Sequence, residues 1–189
     1  MSGTIVSMEA LVTPRMVLEP MTLALVEAVF AADRDALERI AGAKIPAAWP
    51  GRVLVERAFC ASLDAIRADP LARLWGDRLM ITRGESSAAE RLVIGSIIFH
   101  GRPGPDGVAE VGYGVEESWQ RKGVATEGTR AAVEWALTQP GVKVVTATTP
   151  PWHAASIRVL EKSGLVRIGT EEHETLGEVL RFERRRGAE

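Results

Sequence analysis

One cysteine, Cys60, is all the chain contains in its 189 residues. A lone thiol cannot close an internal disulfide, so no disulfide framework exists and a reducing compartment is permitted. Cys60 sits at apolar helical spacing with Phe59 and Leu63, which predicts a buried core thiol rather than a nucleophile. No sign of charge dominates: 23 basic residues face 25 acidic ones, a formal net charge of -2. Nothing in that balance draws the protein to nucleic acid or to an anionic membrane surface. No apolar run approaches the roughly 20 residues needed to cross a bilayer. The opening residues lack the basic segment, apolar run and small-residue cleavage site of a signal peptide. A cytoplasmic protein is expected. His100, His153 and His173 are scattered, with no metal-ligand spacing, so no metal is expected. Walker-type G-x-x-x-x-G-K-[ST] and dinucleotide-type G-x-G-x-x-G patterns are also missing.

Apolar residues make up 46% of the chain, enough for a substantial core, and the length suits one domain over residues 1–189. Leu11–Leu18, with Pro14 inside it, reads as an edge strand. Thr22 is placed to cap a helix that runs at helical spacing to Ile40 and stops at Gly42. A second helix is expected from about Leu54 to Ala68, ended by Pro70. Strands are then expected over Leu74–Thr82, Leu92–His100 and Val108–Val115, with a polar turn at Gly84-Glu85-Ser86-Ser87. A helix over Val124–Leu137 follows. After it come a β-branched strand Val142–Thr148, a helix Ala154–Ser163, and two short strands, Leu165–Gly169 and Val179–Phe182. The expected fold class is α/β (α+β): a mixed sheet of seven strands, mostly antiparallel, flanked by about four helices.

The most informative segment is Gln120-Arg121-Lys122-Gly123-Val124-Ala125-Thr126-Glu127, set between a strand and a helix. The first turn of a helix carries N–H groups without internal partners, and the helix dipole adds positive potential there. Gly123 permits close backbone approach, Ala125 keeps the entrance small, and Arg121 and Lys122 bring positive charge. By itself the octapeptide reads equally as a basic turn before a helix. Upstream, Glu110 stands on the strand that feeds this turn, either as a solvated or ion-paired carboxylate or as a proton acceptor. Ser156 and His153 stand at the next helix start, where a cap or packed group is the plain alternative to a ligand contact.

Gln120-x-x-Gly123-x-Ala125 matches the [QR]-x-x-G-x-[GA] signature of the GNAT acetyltransferase superfamily. Glu110-Val111-Gly112-Tyr113-Gly114-Val115, Ala125-Thr126-Glu127, Ser156 through Leu165, and Leu11 through Leu18 resemble the subgroup that acetylates the N-termini of ribosomal proteins. The resemblance implies a GNAT-like sheet and an N-acetyltransferase with acetyl-CoA as cosubstrate. Gln120, Arg121, Lys122, Gly123, Val124, Ala125 and Thr126 would hold the CoA diphosphate. Val115 would pair with the pantetheine arm, and His153 and Ser156 would lie on the coenzyme. Glu110 would act as general base, Ser156 would contact sulfur, and Trp49 and Trp75 would lie in the region that lines the acceptor pocket. Acetyl transfer would be direct, to a primary amine on a protein N-terminus or a small molecule, and the family admits a homodimer. Two departures stand out: His153 replaces the usual asparagine, and Leu160 replaces the tyrosine that serves as acid. They leave room for a non-catalytic acyl-CoA-binding regulatory module. A phosphate-binding module for other nucleotides is a further alternative.

Overall fold

A computed structural model describes residues 9–47, 60–84 and 90–187. Trp49, residues 54–59 of the second expected helix, the 85–87 part of the polar turn and the side chain of Cys60 lie outside the described residues. The described elements run β1 (Leu11–Val12), β2 (Met16–Pro20), α1 (Leu23–Phe30), α2 (Arg34–Ala41) and α3 (Cys60–Ala68). A 3-10 turn (Pro70–Trp75) leads to β3 (Asp77–Thr82), β4 (Val93–Phe99) and β5 (Val108–Val115). Then follow α4 (Val124–Thr138), β6 (Val144–Thr149), α5 (Ala154–Lys162), β7 (Val166–His173) and β8 (Gly177–Arg185).

The strands form one sheet of eight in the order β1-β2-β3-β4-β5-β6-β8-β7. Every pairing is antiparallel except β5 with β6. Eight strands replace the expected seven because Leu11–Leu18 is a hairpin rather than one strand. Pro14 lies in its turn, where no ladder donor is required, and the Thr13 amide closes the turn onto the Met16 carbonyl at 2.9 Å. Leu11 then pairs with Leu18 and Val12 with Val17.

The first expected helix is likewise two. Ala32 takes φ of 52° and Asp33 caps α2 by accepting the Ala36 amide at 2.9 Å. Thr22 caps α1 at the Leu25 amide and Gly42 closes α2 with φ of 59°, both as the sequence predicts. Asp69 and Pro70 turn the residues before β3 into the 3-10 segment, so that strand begins at Asp77 and not at Leu74. The last two strands are longer than expected, eight and nine residues. All of β7 is exposed and follows no apolar alternation, so its pairing with β8 defines it.

Side chains alternate across the strands and build one core on each face. Met80, Ile97, Phe99, Ala109, Val111, Val145 and Ala147 pack with Val124, Ala132, Val133 and Leu160 of α4 and α5. Leu79, Ile81 and Val93 pack on the other face with Leu25, Val26, Val29 and Leu37 of α1 and α2 and Ile66 of α3. Truncating any of the larger of these to alanine costs about 2–5 kcal/mol. None of the described helices is long and apolar enough to cross a membrane.

Candidate active site

β5 and β6 begin as a parallel pair and then part. Their register covers only Val108–Val144, Ala109–Val145 and Glu110–Thr146. Beyond Glu110, β5 continues to Val115 bonded to β4 on its other side, and β6 continues to Thr149 bonded to β8. The two strands leave a splay, with the starts of α4 and α5 beyond their ends. Main-chain groups of β5 from Val111 to Val115 therefore have no strand partner on the β6 side, an edge that an extended ligand can pair with.

At the far end of β5 the chain enters the turn Gln120–Gly123. The Gln120 amide group donates to the Val115 carbonyl at 3.2 Å and ties the turn to the strand end. Arg121 and Gly123 both take positive φ, 60° and 78°. Gly123 occupies the N-cap position of α4, where a left-handed backbone favours glycine and no side-chain oxygen can cap the helix. The amides of Val124, Ala125 and Thr126 open the helix, with Arg121 and Lys122 exposed beside them and the Lys122 ammonium 4.8 Å from the centre of the Trp119 ring.

A clamp that the sequence reading missed holds this helix start. Glu127 Oε1 accepts from the Thr13 hydroxyl at 2.7 Å and from the Arg15 amide at 2.9 Å, and Oε2 accepts from Arg15 Nε at 2.7 Å. Arg15 Nη1 donates to the Lys122 carbonyl at 2.7 Å, while a Cβ added at Gly123 would lie 3.5 Å from Arg15 Nη2. Burial pushes the Glu127 carboxyl up, but the bonds from Thr13 and Arg15 outweigh it and hold the group below its ordinary range. The hairpin turn of β1 and β2 thus fastens the α4 start across more than a hundred residues. The sequence carries Thr13, Arg15 and Glu127 but no local pattern linking them.

Sidedness divides the candidate residues. Tyr113 and Val115 share the α4/α5 face with Ala109 and Val111, whereas Glu110, Gly112 and Gly114 face α1–α3. Glu110 is half-exposed, its Oε2 3.7 Å from His100 Nδ1. Gly112 lies beneath these groups: a Cβ there would come within 3.1 Å of Ile98 Cγ2 and 3.6 Å of His100 Nε2. Asp77 pairs with Ile98 and Ile98 with Gly112, so Asp77 belongs to the same polar floor. It is 3% exposed, its Oδ2 has no hydrogen-bond partner among the described residues, and burial pushes its carboxyl up to about 7.

On the other face Ser156 lies in the first turn of α5, 8% exposed. Its Oγ is 2.8 Å from the Tyr113 hydroxyl, which also donates toward the Ser156 carbonyl at 3.1 Å. His153 holds the N-cap position of α5 without a side-chain capping bond, its ring 5.6 Å from that of Trp152. Leu160 is buried in the core, and half-buried Trp75 packs edge-on against Phe99 and at a tilt against Trp135. Among the described residues no group of three or more His, Cys, Asp or Glu side chains forms a metal site.

The fold and the sequence both have counterparts among known proteins. The family model for the acetyltransferase (GNAT) domain matches residues 15–166. The chain belongs to the GNAT acetyltransferase family. It is similar to the uncharacterized N-acetyltransferase YjdG of Bacillus subtilis, 31% identical over 74 residues that span 39% of this chain and 44% of that protein. The match thus covers less than half the length of that relative. The fold matches an acetyltransferase (GNAT family) from Bacillus anthracis with a TM-score of 0.60 at 19% identity, over 94% of this chain and 98% of the other. It also matches RimL, a ribosomal L7/L12 alpha-N-protein acetyltransferase in complex with coenzyme A, with a TM-score of 0.62 at 13% identity over 93% and 97%. The chain thus carries an acetyltransferase-type domain over residues 15–166.

Proposed function

We propose that all 189 residues form one domain that transfers an acetyl group directly from acetyl-CoA to a primary amine, on a protein N-terminus or a small molecule. The observation that carries this reading is the end of the β5–β6 pairing at Glu110–Thr146, which opens an edge leading straight to the uncapped start of α4. The edge around Val115 suits an extended amide-bearing arm, and the residues from Gln120 to Thr126 suit its diphosphate. His153 and Ser156 flank the arm from α5.

Attack on a thioester needs a neutral amine, and an alkylammonium near pKa 10 is mostly protonated at neutral pH. Glu110, on the face away from α4 and α5, accepts that proton, and His100 stands beside it. The amine then meets the acetyl carbon through the gap left by Gly112 and Gly114. Holding both reactants across one strand supplies much of the rate, and main-chain donors at the splay polarise the thioester carbonyl.

The test is a screen of amines, amino acids and N-terminal peptides that follows CoA release, with acetyl-CoA affinity measured by calorimetry. Glu110→Gln is expected to lower kcat at least about a hundredfold near neutral pH, with acetyl-CoA affinity retained. Affinity without transfer to any amine would point instead to an acyl-CoA-binding regulatory module. Absence of binding heat would overturn the coenzyme assignment.

A further inference from the structure

Leu160 cannot donate a hydrogen bond, and its side chain is 1% exposed in the core under α5. Yet the helix face it occupies is served by a phenol from elsewhere. Tyr113 is the chain's only tyrosine. It rises from the part of β5 that lies beyond the last β6 pairing, on the face toward α4 and α5. Its hydroxyl meets Ser156, one helical turn before Leu160 on the same side of α5.

We propose that Tyr113 is the positioning residue for the leaving-group side of the transfer: its hydroxyl donates to Ser156 Oγ and turns the serine proton toward the thioester sulfur in the splay. The proposal rests on the acetyl-transfer reading above. Proton inventory supports it. The phenol and the serine have one hydrogen each, while the Ser156 carbonyl only accepts. Either the phenol bonds to the carbonyl and the serine to the phenol, or the phenol bonds to Ser156 Oγ and frees the serine hydrogen. Negative charge growing on sulfur favours the second arrangement, because a hydrogen bond to an ionised acceptor is roughly twice as strong as a neutral one. Burial raises the Tyr113 phenol above its ordinary range, and the Ser156 bond offsets this only in part. The phenol therefore keeps its proton and acts as a donor of a hydrogen bond. In the step itself the amine nitrogen forms its bond to the acetyl carbon and the carbon–sulfur bond breaks with its electron pair on sulfur. The proton that leaves the ammonium before attack, and the second that leaves the nitrogen as the amide forms, pass in turn through Glu110 to water. The thiolate, held by the Ser156 hydroxyl, takes a proton from water on release.

Tyr113→Phe keeps the ring and removes only the hydroxyl. It is expected to lower kcat about tenfold, the worth of one such hydrogen bond, with KM for acetyl-CoA within about twofold of wild type. Ser156→Ala should lose at least as much, and the double variant should be no slower than Ser156→Ala alone. Wild-type kcat in Tyr113→Phe, or losses that multiply in the double variant, would overturn the proposal. If wild type transfers acetyl and Tyr113→Phe is indifferent, only this inference falls; if wild type acetylates no amine, the reading beneath it falls. Because Tyr113 stands alone, growth on 3-fluorotyrosine labels this site and no other. Its fluorine resonance should shift when CoA is added to the otherwise unaltered protein, and the shift should shrink in Ser156→Ala. A resonance that ignores CoA would also sink the idea, without relying on a variant that must fold.

Discussion

Two sets of helix starts in this molecule are built differently. On the α1–α3 side, Thr22 caps α1, Asp33 caps α2, and Asp69 caps the 3-10 turn at the Leu71 amide. On the other side, α4 begins at Gly123 and α5 at His153, neither with a side-chain cap. The uncapped pair are the helices that follow β5 and β6, the two strands that part. A missing cap costs about 1 kcal/mol, and the unsatisfied amides remain available to a ligand. Where the chain only has to fold, its side chains close the helix ends. Beside the splay it leaves them open and holds them from outside, through Glu127 and Arg15 at α4 and through Tyr113 at α5.

The sharpest way to break this contrast is to close the α4 start. Gly123→Asp would set a carboxylate where the diphosphate is proposed to sit, on a backbone that disfavours any side chain. Calorimetry should show acetyl-CoA bound at least about a hundredfold more weakly, roughly 3 kcal/mol. Unchanged affinity would mean that the open amides serve no anion.

Loosening the external hold should cost less. Arg15→Ala removes the guanidinium bonds to Glu127 and to the Lys122 carbonyl, and is expected to raise KM for acetyl-CoA about tenfold with kcat little changed. Glu127→Gln tests the same clamp through pH. The Glu127 carboxyl is held below its ordinary range in the folded protein, so its contribution is complete above that range and is lost as pH falls through the depressed value. The Tm difference between wild type and Glu127→Gln should therefore be largest near neutrality and shrink in acid. A difference independent of pH would remove the ionised clamp from the account.

On the capped side the expectation reverses: function stays and stability moves. Asp33→Ala should cost about 1 kcal/mol, read as a fall in Tm, with kcat and both KM values as in wild type. A kinetic defect there would mean that α2 takes part in the site.

How much of this was legible beforehand follows the range of the interactions. The sequence predicts strand β5 and the α4 start at their observed limits, because Val108, Val115, Gly123 and Val124 mark them with local chemistry. Thr22 and Gly42 are legible for the same reason. The break between α1 and α2, capped by Asp33 at the Ala36 amide, is masked in the sequence because the apolar period runs across it. Strand β7 runs longer than the sequence predicts because Arg167, Thr170, Glu171 and Glu172 carry no buried alternation. The contact of Tyr113 with Ser156 and the clamp of Arg15 on Glu127 join residues far apart in the chain, and no periodicity announces them.

The smallest predicted effects lie at α5, where the two helix starts by the splay can be told apart from each other. At α4 the proposed ligand is a diphosphate, so any carboxylate there is harmful. At α5 the neighbouring group is Ser156 and, through it, the proposed thioester sulfur, which would carry charge only during the transfer. His153 makes no capping bond, so a side chain that does make one should stabilise α5. His153→Asn and His153→Asp should each raise stability by about 0.5–1 kcal/mol. Only the second places a full negative charge near the departing thiolate. It should lower kcat about threefold to fivefold relative to His153→Asn, while acetyl-CoA affinity differs little between them, since the penalty arises only as the carbon–sulfur bond breaks. Equal kcat values would place the sulfur away from the α5 start. A large affinity difference would mean that this start, like that of α4, faces a phosphate.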